Sequence, residues 1–286
     1  MDSYVRRLSE YTLIAALAFT NIFVWYAVSN ETRDGVLVAF LDVGQGDAIF
    51  IEAPDGSQVL VDGGSGKGVL RALSDVMPFY DRSIDLVVAT HPDADHIGGL
   101  SHVLDRYRVS GYLESGASAD TAAYRNLEAS LGREQGLARM TVRRGMTVAL
   151  ASSTILAVLF PDRDASGFEM NDASIIMRLD YGKTSFLLTG DAPQKIEEYV
   201  VALDHASVNV DVLKAGHHGS KTSTSDTLLG WASPIYAVIS AGKDNRYGHP
   251  HAEVLEKLKN SEIEIVRTDE HGTVRMKSNG SRIMLD

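Results

Sequence analysis

Short apolar runs that stop on a histidine or a carboxylate recur along this chain. Ile84-Asp85-Leu86-Val87-Val88-Ala89-Thr90-His91 ends on an imidazole, and Phe186-Leu187-Leu188-Thr189-Gly190-Asp191 ends on a carboxylate. Val212-Leu213-Lys214-Ala215-Gly216-His217-His218 delivers two imidazoles. Runs of this length, bounded by glycine or charge, read as buried strands. Residues 36–44, 48–54, 58–64, 154–161, 173–182 and 235–242 read the same way, with Asp55-Gly56 as a hairpin turn. Helical spacing predicts a helix over 120–136, with Tyr124, Leu127 and Leu131 on one face, and two more near 192–204 and 251–260. Pro193 suits the first turn of the former. No repeat or low-complexity linker interrupts residues 35–286, which read as one mixed α/β domain.

Composition excludes several classes. At 44% hydrophobic and 23% charged, the 286-residue chain is not wholly disordered. Without cysteine it holds no disulfide, cysteine zinc finger, iron–sulfur cluster or thiol nucleophile. A net charge of −11 argues against coating nucleic acid through bulk charge, but suits a cation site where carboxylates converge. A local basic strip is expected from Arg125, Arg133, Arg139, Arg143 and Arg144.

Residues 1–30 form a separate element. The stretch 12–28 carries no charge, ends in Trp25 and Tyr26, and follows Arg6 and Arg7, with Glu31, Arg33 and Asp34 beyond it. This predicts a single-pass transmembrane anchor, contacting the membrane through residues 12–28, with the N-terminus cytoplasmic and the rest extracytoplasmic. A signal peptide cleaved near Ala27-Val28-Ser29, leaving a secreted protein, and a buried helix of the globular domain are the alternatives.

The densest signal is Thr90-His91-Pro92-Asp93-Ala94-Asp95-His96-Ile97-Gly98-Gly99. His91, Asp93, Asp95 and His96 fall within six residues, just past an apolar strand. Imidazole and carboxylate donors suit Zn, Mn or Fe. A helix cap would explain one Asp, not the cluster. Asp191 alone would likewise read as a cap, and a lone histidine as structural. The shared strand-end placement of His217, His218, His249, His251 and His271 favours a metal cluster instead.

These segments resemble the metallo-β-lactamase superfamily, in the order FLDVGQGDAIFIE, VDGG, THPDADHIGG, NDASIIMRLDYG, FLLTGD, DVLKAGHHGS and SAGKDNRYGHPH. The resemblance covers roughly residues 35–286. Gly44-Gln45-Gly46-Asp47 and His217-His218-Gly219-Ser220 narrow it to the ComEC-type hydrolase domain of competence proteins. It implies a four-layer αββα sandwich with two divalent ions, Zn or Mn, at one edge between the sheets. The second histidine of the family's HxHxDH motif is Asp93 here, and Asn171-Asp172 stands where a third-motif histidine is usual. The implied ligand sets are His91, Asp93, Asp191 and His217 for one metal, and Asp95, His96, Asp191 and His249 for the other, with Asp191 bridging. His217 is preferred over His218, and His249 over His251.

The resemblance implies a metal-dependent phosphodiesterase or nuclease that uses a metal-bridging hydroxide on a phosphodiester substrate, DNA among the candidates. Asp95, Asp191, His218 and His251 are the candidate catalytic groups, with His218 or His251 protonating the leaving group. Asn171, Ser174, Ser220, Lys221 and Lys243 are candidate substrate contacts. A cell-envelope phosphoesterase of choline-phosphate type and a non-catalytic binding module with a relic metal site are the competing readings. No protein partner is inferred.

Overall fold

The computed structural model describes residues 2–29, 35–151 and 153–286, with the side chains of 2–6, 8 and 27–29 left aside. Contacts divide the chain into two units, Met1–Arg33 and Asp34–Asp286.

The first unit is a single helix, Asp2–Ser29. Leu13, Ile14, Leu17, Phe19, Ile22, Phe23, Trp25 and Tyr26 are all exposed along it. Among the described residues, however, no helix is long and apolar enough to cross a membrane, so the expected transmembrane anchor is not supported. The uncharged stretch, residues 12–28, is at the short end of what a span needs. It also carries Thr20 and Asn21 at its middle, each donating a side-chain hydrogen bond to the helix backbone at 2.9 Å. The flanking Glu31, Arg33 and Asp34, and the side chain of Arg6, lie outside the described residues.

The second unit contains two sheets. The first has eight strands in the spatial order Ile283–Leu285, Val274–Ser278, Val36–Phe40, Ile49–Glu52, Gln58–Val61, Ser83–Ala89, Arg108–Glu114 and Ala138–Thr141. The second has seven, ordered Glu264–Arg267, Tyr236–Ile239, Val212–Lys214, Thr184–Leu188, Ile176–Tyr181, Thr154–Phe160 and Thr147–Ala151. The expected hairpin pairs Ile51 with Val59 across Asp55-Gly56. Strand alternation separates the buried residues into three layers of contact. Val38, Phe40, Ile49, Ile51, Phe186, Leu188 and Val212 meet between the sheets. Ala39, Phe50, Leu60 and Val87 face outward under helices Gly68–Val76, Leu100–Leu104 and Ala122–Leu131. Leu187, Leu213, Ala237 and Ile239 do the same under Gln194–Leu203, Asp226–Ala232 and Ala252–Asn260. Three apolar interfaces between four layers make the expected αββα sandwich.

Parallel pairing of Gln58–Val61, Ser83–Ala89 and Arg108–Glu114 in one sheet, and of Thr184–Leu188, Val212–Lys214 and Tyr236–Ile239 in the other, points their C-terminal ends the same way within each sheet. The loops that follow carry Asp62, His91, Asp191, His217 and His218.

Candidate metal centre

Glycines allow the loops of the site to close on one another. A Cβ on Gly46, at φ +116°, would fall 1.9 Å from the Asp95 carbonyl oxygen, and one on Gly99 would fall 1.9 Å from that of Gly63. The Gly63 N–H donates to the His96 carbonyl at 2.7 Å, and the Gly64 N–H to the Asp47 carbonyl at 2.8 Å. Side chains at Gly46 or Gly99 would push apart the segments that hold the site.

His96 lies in the helical turn Ala94–Ile97, capped by Asp93, whose Oδ1 accepts the Ala94 N–H at 2.7 Å. His96 is fully buried. Its Nδ1 is 2.7 Å from Asp62 Oδ2, and its Nε2 is 3.1 Å from Asp191 Oδ1. Asp62 is anchored in turn by the Thr90 N–H at 2.8 Å and the Thr90 hydroxyl at 2.7 Å. Because that hydroxyl donates to Asp62, its oxygen accepts from His91 Nδ1 at 3.0 Å. His91 Nε2 is then the acceptor nitrogen, 4.0 Å from Asp191 Oδ2.

His217 and His218 both adopt left-handed backbone, at φ +50° and +55°. Such conformations are strained for non-glycine residues and cluster at functional sites. His218 turns inward and is buried. Its Nδ1 donates to the Ser240 carbonyl at 3.0 Å, leaving Nε2 3.3 Å from Asp95 Oδ2 and 3.6 Å from Asp191 Oδ2. His217 stays at the rim, with its Nε2 3.5 Å from Asp191 Oδ2 and its Nδ1 3.1 Å from the Thr222 hydroxyl.

Three imidazoles thus turn their Nδ1 away and their Nε2 toward one carboxylate. Buried His91 Nε2, His96 Nε2, His218 Nε2 and Asp191 Oδ1 make no hydrogen bond of acceptable geometry. A buried polar group left unsatisfied costs about 1–3 kcal/mol. Four in one place have no value for folding alone, and their donor types fit a divalent cation. Two sets of ligand atoms lie within 4.8 Å of one another here: His91, His96 and Asp191; and Asp95, His96 and His218.

The electrostatics are those of a charged cage. Burial disfavours a charge on His91 and, with His96 beside it, holds the imidazole down at about 3. Burial opposes charge on His218 too, but Asp191 and Asp47 outweigh it and raise the imidazole to about 9. His96 is raised as well, against its burial, by Asp191 and Asp62. Asp191 is held well below the carboxylate range because His96 and His218 overcome its desolvation.

The other expected residues fall around this core. His249 lies at the rim, with its ring centroid 5.6 Å from His217 and 6.3 Å from His218. Burial and the neighbouring His217 and His218 push it down to about 4. His251 lies 4.9 Å from His249, and its Nδ1 accepts the Lys221 N–H at 3.2 Å. Ser174 is fully buried and accepts the Asp191 N–H at 3.2 Å, beneath the carboxylate. Asn171 opens a short 3₁₀ turn just before Ser174. Ser220 contacts the Thr222 hydroxyl at 3.0 Å, while Lys221 and Lys243 are exposed. His271 closes the short helix Thr268–His271, bonded to the Arg267 carbonyl, and is not part of the cluster.

The expected basic strip is neutralised. Arg125 pairs with Asp120, Arg133 with Asp105, and Arg139 with Glu114 and Glu128. Arg143 pairs with Asp164, and Arg144 with Asp204. Sequence reasoning assigned no role to Asp62, Asp47 or Thr90. Asp62 falls within VDGG, but nothing local to that segment shows that it reaches His96.

Comparison with known proteins agrees with the geometry. Residues 41–126 match the family model of the Metallo-beta-lactamase superfamily. The chain belongs to that superfamily of metal-dependent hydrolases. Three of its curated relatives are competence proteins of ComEC type. ComE operon protein 3 of Bacillus subtilis is 31% identical over 95% of this chain and 37% of that protein. Recombination protein 2 of Haemophilus influenzae is 32% identical over 92% of this chain and 31% of that protein. Competence protein ComA of Neisseria gonorrhoeae is 27% identical over 88% and 34%. The chain therefore spans about a third of the length of these relatives. Two solved structures share the fold. CmlA, a diiron beta-hydroxylase from Streptomyces venezuelae, has a TM-score of 0.54 at 15% identity, over 89% of this chain and 55% of that one. The metallo-beta-lactamase fold protein YhfI from Bacillus subtilis has 0.52 at 13% identity, over 81% and 95%.

Proposed function

We propose that this domain is a phosphodiesterase of nuclease type that works with two divalent cations, Zn or Mn. The observation that carries this is the meeting of His91 Nε2, His96 Nε2, His218 Nε2 and Asp191 Oδ1, all buried and without a hydrogen bond of acceptable geometry, at the ends of strands from both sheets. His91, His96, Asp95, Asp191 and His218 would hold the cations, with His217, His249 and Asp93 at the margin. Bound there, the cations supply Lewis acidity and a nucleophile at neutral pH. The protein's own groups do the rest. Asp62, Thr90 and the Ser240 carbonyl fix the imidazole orientations. Exposed Lys221 and Lys243 flank the rim, where they can attract a phosphodiester. His251, its Nδ1 occupied by the Lys221 N–H, presents Nε2–H as a donor for the leaving oxygen.

The names of the relatives, competence and recombination proteins, support a nucleic-acid substrate. The paired arginines and the acidic net charge restrict DNA contact to the rim of the site. The test is hydrolysis of bis(p-nitrophenyl) phosphate and of single- and double-stranded DNA by residues 35–286. Protein stripped with chelator is compared with protein reloaded with Mn or Zn. Turnover that needs the metal and extends to DNA is expected. Metal bound without hydrolysis of either substrate would overturn the reading.

A further inference from the structure

Behind the metal centre lies a buried ion pair with no part in the chemistry above. Lys214 ends the strand Val212–Lys214. Val212 joins the core between the sheets and Leu213 the outer layer, so Lys214 points back between the sheets. It is fully buried, and its Nζ lies 2.5 Å from Oδ2 of equally buried Asp47. An ammonium in such surroundings is strongly unfavourable unless it is paired.

Asp47 has two other claims on it. Its Oδ1 lies 3.3 Å from His218 Nδ1. Its ligand atoms also fall within 4.8 Å of those of Asp62 and His96, and of those of Asp191 and His218. Both sets have the donors of a divalent cation site. Asp62, the corresponding carboxylate behind His96, is satisfied by the neutral donors of Thr90. Asp47 faces an ammonium instead, and burial opposes its charge while Lys214, then His218, holds it ionised below the ordinary carboxylate range.

We propose that Lys214 is a resident cation in a third cation position, denying Asp47 to metal and keeping it as the counter-charge behind His218. This rests on the reading of the front cluster as a metal centre. With the ammonium gone, Asp47 is a buried anion without a counterion, beside imidazoles already arranged for metal. A divalent ion takes the place of the ammonium.

The experiment compares wild type, Lys214→Met and the double variant Asp47→Asn/Lys214→Met. Each is dialysed to equilibrium against Mn alone or Zn alone and analysed for metal per chain, with thermal unfolding before and after loading. Lys214→Met is expected to bind one equivalent more than wild type. Its metal-free form should unfold at lower temperature, and loading should raise that temperature by more than in wild type. The double variant, with both charges removed, should return to the wild-type count. Lys214→Gln keeps a hydrogen-bond donor facing Asp47 without the charge, and should show the same extra equivalent if Lys214→Met does not fold. A folded Lys214→Met or Lys214→Gln protein with the wild-type count would overturn the proposal, as would an extra equivalent that survives in the double variant. A wild type that binds no metal would instead overturn the metal-centre reading beneath it.

Discussion

His96 and His218 face the same carboxylate from opposite sheets, but they are held differently. His96 sits in a capped helical turn, and its Nδ1 meets Asp62, which two Thr90 donors fix. His218 sits in left-handed backbone, its Nδ1 bonded to the Ser240 carbonyl, with the Asp47–Lys214 ion pair behind it. The first side takes His91, Asp95 and His96 from one short segment, braced by Asp62 from an earlier loop. The second is assembled from loops far apart in sequence under local strain. Ligands written into one segment can be recognised in a sequence, whereas ligands that depend on where several loops meet cannot.

The comparison can be broken hardest at the residue the two sides share. Asp191→Ala removes the carboxylate facing His91, His96, His217 and His218, leaving cations without their common counter-charge. Bound metal should fall below one per chain and turnover to the level of stripped protein, both read on one purified sample. Next in size are the two adjacent histidines. His218→Ala should lose metal and activity together, while His217→Ala should keep most of its metal, because only His218 is buried with its Nε2 between Asp95 and Asp191. Elemental analysis of the pair checks this, and the opposite order would restore the preference for His217 drawn from sequence.

Asp62→Ala probes the orienting group on the His96 side. Such partners tune a metal ligand without touching the metal, so affinity should fall about 10–100-fold in a metal titration with the fold retained. Gly46→Ala places a Cβ against the Asp95 carbonyl in a backbone region that disfavours side chains. A loss of about 1–3 kcal/mol is expected, measured by denaturant unfolding. The smallest effect should come from Lys221→Ala and Lys243→Ala. These exposed rim charges should raise KM for DNA by roughly threefold each, less at high salt, with kcat unchanged.

Much of this was legible before the fold was known. The convergence of His91, Asp95, His96 and Asp191 follows from apolar runs that stop on charge, and the αββα layering agrees with the quoted motifs. Edge strand Ala138–Thr141 was not legible, because it is exposed throughout and lacks an apolar run, and in Thr147–Ala151 the apolar run is only four residues long. Helices Leu100–Leu104 and Asp226–Ala232 are too short to establish a period. His217 looked better placed than His218 because it comes first after the strand. The left-handed turn at both residues puts His218 inside and leaves His217 at the rim, and no spacing rule encodes it. Asp62 and Asp47 reach their histidines across 34 and 171 positions of chain, a proximity that only the tertiary fold creates. The N-terminal segment is uncharged over residues 12–28, and no helix among the described residues is long and apolar enough to cross a membrane.

The central claim is that these buried imidazoles and carboxylates hold divalent cations. Its most direct test is anomalous diffraction from crystals of residues 35–286 grown with Mn or Zn. Two peaks are expected between His91, His96, Asp95, Asp191 and His218, with His96 Nε2 and His218 Nε2 at ligand distance, about 2.0–2.1 Å for Zn. Loaded crystals with no peak there, or with peaks confined to the surface, would contradict it.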